Sequence, residues 1–159
     1  MAETVQKSQA ANKADTGGTT RPAPTVASVL GEICWLFSMT PSHRHFFMAD
    51  LDWLVIPPVV RNQFRVYRDS KGRPVGLVLW AKLDEEAEQR LLSGSARLRP
   101  QDWDSGDRYW IIDVVDLSKG QRAKGMIEDM AKTALKDVVF KYHRTDSAGN
   151  RSVVSSDAL

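Results

Sequence analysis

A mixed β-sheet flanked by helices, an α/β fold, is predicted by three observations. An amphipathic stripe opens the patterned part of the chain, two strand-turn-strand patterns follow, and helical segments stand between those hairpins. The chain has 159 residues, 42% hydrophobic and 26% charged, which suits one folded domain.

The elements follow in order. Residues 1–24 are rich in Ala, Ser, Thr, Gly and Gln and include Pro22 and Pro24, a mixture too polar to offset its ordering entropy, so they read as a flexible tail. Residues 25–159 read as the single domain. Val26, Val29, Leu30, Ile33, Cys34 and Phe37 fall at the spacing of one helix face, with Thr25 as N-cap. Pro41 ends that helix, and His43 is expected to open a new element. Met48 to Val60 reads as two short helices, one on either side of Pro57-Pro58. Phe64–Tyr67 and Val75–Trp80 flank the turn-rich Asp69–Pro74 and form a hairpin. Asp84–Leu92 is helical, with an acidic first turn and Ser93-Gly94 to close it. Tyr109–Val115 reads as a strand and Arg122–Lys136 as an amphipathic helix. Val138–His143 and Arg151–Val153 form a second hairpin.

Composition removes several function classes. Lys and Arg number 22 against 20 Asp and Glu, a net charge of +2, which gives no basic face of the kind nucleic acid demands. No apolar run reaches the ~18 residues of a membrane span, and the chain start carries no apolar signal core. The single cysteine, Cys34, has no disulfide partner, so a reducing, cytoplasmic setting is expected. It sits on the inward stripe and reads as a packed, inert thiol. Asp102, Asp104 and Asp107 lack the spacing and terminal Glu of a calcium loop, and no Cys/His cluster offers a zinc site, so no metal is expected.

Asp113 is the local anomaly, a carboxylate inside Trp110-Ile111-Ile112-Asp113-Val114-Val115. Strict alternation would put Ile111, Asp113 and Val115 on one face and Trp110, Ile112 and Val114 on the other, so both faces are apolar and covered. Such a carboxylate requires a partner. It either bonds backbone amides at a strand end or orients a histidine. The histidines are His43, His45 and His143, two of them in Ser42-His43-Arg44-His45 just after the helix-ending proline. A neutral imidazole that donates one N–H to a carboxylate keeps its other nitrogen free to accept a proton, the minimum needed to deprotonate an amine or hydroxyl.

Taken together, Gly31-Glu32-Ile33-Cys34-Trp35-Leu36, Thr40-Pro41-Ser42-His43-Arg44, Pro57 to Gln63, and Asp102-Trp103 with Ser105-Gly106-Asp107-Arg108-Tyr109-Trp110-Ile111-Ile112-Asp113 resemble the toxin-activating lysine acyltransferase family. The likeness runs from about Val29 to Val153. It implies an acetyltransferase-like fold and transfer of a fatty acyl group from acyl carrier protein to internal lysines of an RTX protoxin. It also implies that no cofactor is needed beyond that donor and that the chain forms a homodimer. By the same resemblance His43 matches the catalytic histidine and Asp113 the essential aspartate. Thr40, where the family usually has Ser, is a supporting hydroxyl. An acyl chain needs a dry groove, for which Trp35, Trp53, Trp80 and Trp110 are the candidate walls. Two other classes stay open at this level: a coenzyme A-dependent N-acetyltransferase, and a non-catalytic chaperone or adaptor of a secreted partner.

Overall fold

A computed structural model describes residues 23–159 apart from residue 96. The proposed tail therefore lies almost wholly outside the described residues. Helix α1 (Val26–Met39) starts at Thr25, whose hydroxyl accepts from Ser28 N while the Ser28 hydroxyl accepts from Thr25 N. Such a reciprocal cap contributes ~1 kcal/mol. The helix stops at Thr40, where the hydroxyl donates to Leu36 O at 2.7 Å. His43 opens no new helix or strand. It sits in a hydrogen-bonded turn that closes α1, with His43 N and Arg44 N both donating to Thr40 O.

Helices α2 (Leu51–Leu54) and α3 (Ile56–Val60) follow a 3-10 turn at Met48–Asp50. The two prolines do not separate the helices as expected. Pro57 and Pro58 lie in the first turn of α3, where a backbone N–H has no intrahelical acceptor to lose. Strands β1 (Phe64–Arg68) and β2 (Pro74–Leu83) pair antiparallel, joined by a turn in which Asp69 accepts from Lys71 N and Arg73 N. Helix α4 (Glu85–Leu92) is capped by Asp84, which accepts from Ala87 N at 2.8 Å. Strand β3 (Arg108–Asp116) pairs antiparallel with β2, and α5 (Ala123–Lys132) leads to β4 (Phe140–Thr145) and β5 (Arg151–Ser155). Helix α5 ends four residues earlier than its pattern suggests, and the Thr133 hydroxyl bonds back to Asp129 O there.

The sheet order is β1-β2-β3-β4-β5, with β3 and β4 parallel and the other pairs antiparallel. This is the mixed, helix-flanked sheet the element order predicts. Two apolar clusters cover its faces. One joins α1 to α4 with Leu77, Leu79, Ala81, Trp110 and Val115; the other joins α5 with Val78, Ile111, Phe140 and Tyr142.

One irregularity in β3 decides the geometry of the site. Leu79 pairs with Asp113 and its neighbour Trp80 pairs with Ile111, so Ile112 is an extra residue, a β-bulge. Alternation is thereby broken. Asp113 does not share a face with Ile111, as simple alternation requires, but lies on the α1 side with Trp110 and Val115. The bulge also marks the point where β3 parts from β4. Their parallel register covers only Tyr109–Ile111 against Phe140–Tyr142, and beyond it a cleft of about 410 Å³ opens between Asp113, His143 and Arg151.

Candidate active site

Thr40 fixes the turn that carries His43. Its side chain is buried and spends its hydroxyl on Leu36 O, while its carbonyl receives His43 N at 3.0 Å and Arg44 N at 2.9 Å. It thus supports His43 through the backbone. The imidazole is buried, with the Phe37 ring 4.7 Å away and the Phe46 ring 5.2 Å away edge-on. The two rings pack against the imidazole, whose Nε2 is directed toward the sheet.

There Nε2 meets Asp113 Oδ2 at 2.7 Å across 70 positions of sequence. The Asp113 side chain keeps 20% of its accessibility, so the pair lies at the edge of the core. On the opposite side of the ring, Nδ1 lies 2.8 Å from the hydroxyl of Ser42, an exposed residue. A carboxylate can only accept, so Nε2 carries the proton and donates it to Asp113. Nδ1 is then the basic nitrogen, and it accepts the Ser42 O–H. Sequence reasoning missed Ser42. The signal available was its position beside the histidine, a weak one for an exposed serine in a polar turn.

The remaining histidines are differently placed. His45 is exposed, and His143 on β4 lies 5.2 Å from the Trp110 ring with Nδ1 3.0 Å from an Arg151 guanidinium nitrogen. Burial, and then the Arg151 charge, push the His143 pKa below the usual imidazole value.

The four tryptophans do not form a common wall. Trp35 is exposed on α1, and Trp80 packs with the α5 cluster across the sheet from His43. Trp110 is fully buried and donates Nε1–H to Glu88 Oε1 at 2.8 Å, a core role. Trp53 alone of the four joins the aromatic group at the site, 6.5 Å from Phe46. The apolar surface beside His43 is instead a groove of about 160 Å³ whose walls include Cys34, Phe37, Phe46, Met48 and Leu51. Cys34 is half-buried, and burial raises its thiol pKa, so it presents an uncharged sulfur to that groove.

The Asp102–Trp110 block has structural work. Ser105 N and Gly106 N both donate to Lys82 O, and the Ser105 hydroxyl accepts from Asp84 N. A Cβ on Gly106 would stand 2.5 Å from Leu83 O, so only glycine fits this approach of the β3 entry to the end of β2. Asp102 is buried, which would raise its pKa, but bonds from Arg99 and Arg90 hold it below the usual carboxylate range. Among the described residues no group of three or more His, Cys, Asp or Glu is arranged to hold a metal ion, and no helix is long and apolar enough to cross a membrane.

Comparison with known sequences places the chain in a family. The sequence profile of the RTX toxin acyltransferase family matches residues 23–156. The chain belongs to this family. Curated relatives include the RTX-II toxin-activating lysine-acyltransferase ApxIIC of Actinobacillus pleuropneumoniae, 40% identical over 88 residues, 55% of this chain and 54% of that protein. The lysine-acyltransferase RtxC of Vibrio cholerae is 31% identical over 90 residues, 57% of this chain and 59% of its own length. The protein-lysine myristoyltransferase HlyC of Escherichia coli is 35% identical over 87 residues, 55% of this chain and 51% of its own. The chain thus spans about half the length of the curated relatives it matches. A solved structure of a histone acetyltransferase HPA2-related protein from Corynebacterium glutamicum superposes with a TM-score of 0.43 at 15% identity, covering 79% of this chain and 76% of that one.

Proposed function

We propose that the chain is a protein-lysine fatty acyltransferase that takes an acyl group from acyl carrier protein and places it on internal lysines of an RTX protoxin. The observation that carries this reading is the half-buried His43–Asp113 pair at 2.7 Å, set beside an apolar groove in a chain of the acyltransferase family.

The chemistry requires a base. A lysine ammonium has a pKa near ~10.4 and is almost wholly protonated at neutral pH. Neutral His43 takes a proton from the amine, Asp113 holds the imidazole tautomer and stabilises the imidazolium, and the acyl carbonyl passes from thioester sulfur to lysine nitrogen. The groove along Phe37, Phe46, Met48 and Leu51 receives the first methylenes of the chain, each worth ~0.8 kcal/mol when buried.

No metal or organic cofactor enters this scheme; the acyl thioester is a substrate. The resemblance to the family further suggests a homodimer and a cytoplasmic site of action. Incubation with myristoyl-charged acyl carrier protein and an RTX protoxin, read by intact mass, tests the reading. A mass gain of one acyl group per modified lysine is expected. Transfer from acetyl-coenzyme A to small amines, with no response to acyl carrier protein, would overturn it.

A further inference from the structure

We propose that Arg151, held in place by His143, binds the phosphate of the carrier protein's phosphopantetheine arm at the cleft between the parted ends of β3 and β4. This inference rests on the acyltransferase reading and adds to it an anion subsite and the residue that positions it.

The cleft of about 410 Å³ is lined by Ile112 and Asp113 of β3 and by His143 and Thr145 of β4, with Arg151 paired to Thr145 from β5. Arg151 takes part in no ion pair among the described residues. Its guanidinium is nevertheless tethered, with one nitrogen 3.0 Å from His143 Nδ1. A guanidinium only donates, so Nδ1 accepts and the imidazole is neutral, with its proton on Nε2. Burial and the Arg151 charge, which lower the His143 pKa, favour that neutral form. The imidazole rests in turn on the ring of fully buried Trp110, centroids 5.2 Å apart, and Trp110 is bonded to Glu88. A buried indole thus steadies the imidazole, and the imidazole steadies the guanidinium through a bond that neutralises none of its charge. A fixed, uncompensated guanidinium with its other N–H groups in a planar fork matches phosphate oxygens. The carboxylate in the lining, Asp113, is committed to His43 at 2.7 Å.

The place suits the donor. The apolar groove borders His43 and the cleft borders Asp113, so groove and cleft flank the bonded pair. In an extended thioester the acyl tail and the carrier arm leave the carbonyl in opposite directions. With the tail in the groove, the arm is led into the cleft and its phosphate, at the far end of the arm, to Arg151. The basic nitrogen of His43 faces Ser42 rather than the cleft, which leaves that side to the lysine.

Phosphopantetheine and pantetheine differ only in the phosphate, so both serve as competitors of myristoyl transfer from acyl carrier protein to an RTX protoxin. With the wild-type chain the phosphorylated arm should inhibit at a concentration about 10-fold or more below that of the unphosphorylated one. With Arg151→Gln the two should inhibit alike, and KM for the carrier-borne donor should rise about 10–100-fold with kcat little changed. His143→Leu should raise KM in the same direction, whereas His143→Gln, whose amide oxygen still accepts from Arg151, should hold it near the wild-type value. Equal inhibition by the two arms in the wild type overturns the inference, as does a folded Arg151→Gln chain with wild-type KM. Inorganic phosphate that inhibits as well as phosphopantetheine, with KM unchanged in Arg151→Gln, marks a site for free phosphate and overturns it too. In each of these cases the wild type still acylates the protoxin and the acyltransferase reading stands. Failure of the wild-type chain to acylate the protoxin at all overturns the reading beneath.

Discussion

His43 Nε2 and Asp113 Oδ2 lie 2.7 Å apart because the β-bulge at Ile112 turns the carboxylate onto the face of the sheet where the α1 turn hangs. The relationship fixes which imidazole nitrogen is basic. Asp113→Asn would present an amide N–H to Nε2, which favours the tautomer protonated at Nδ1 and removes the basic site. The lysine acylation rate should fall by about 10²–10⁴-fold with a melting temperature close to wild type, measured by initial rates and thermal denaturation of the same preparation.

Phe46 forms part of the groove and stands edge-on to His43 at 5.2 Å. Truncation to Ala removes apolar wall without touching a polar group. Phe46→Ala should raise KM for long-chain acyl carrier protein donors more than for short-chain ones, because only a long chain uses the whole wall. Comparing the two donor classes reads that ratio.

Glu88, on α4, is buried against β3 and β4. Burial by itself would raise its pKa, but hydrogen bonds from Trp110 Nε1 and Lys141 Nζ, with the Lys141 and Arg108 charges, more than offset that and hold it below the usual carboxylate range. A carboxyl depressed in the folded state contributes stability above its unfolded value, near about pH 4.3, and loses it as pH falls through the lower folded value. Glu88→Gln should therefore cost ~1–2 kcal/mol at neutral pH, and the gap to wild type should narrow at pH values below about 4. Urea unfolding at the two pH values measures it.

Much of this architecture was legible because its signals are local. The Thr25 cap, the stripe from Val29 to Phe37 and the turn around Asp69 each act within a few residues and lie where the pattern puts them. The anomaly of Asp113 was legible too, since a carboxylate in an apolar strand requires a partner. Its face was not, because one extra residue in β3 reverses the alternation and nothing in Trp110-Ile111-Ile112-Asp113 marks the bulge. The scatter of the four tryptophans was not legible for a similar reason. Tryptophan content says nothing about which face of the sheet a side chain takes, and Trp80 packs with the α5 cluster, away from His43. The smaller Phe37 and Phe46 line the groove because the turn after α1 folds back on itself. The contact of Ser42 with His43 stayed hidden because it is a distance of 2.8 Å that no spacing rule encodes.

The most direct measurement compares the wild-type chain with His43→Ala in acyl transfer from myristoyl-charged acyl carrier protein to an RTX protoxin, read by intact mass, with circular dichroism on both. The account predicts acylated lysine for the wild type and at least a 100-fold slower reaction for a folded variant. A folded His43→Ala chain that acylates at the wild-type rate would contradict it.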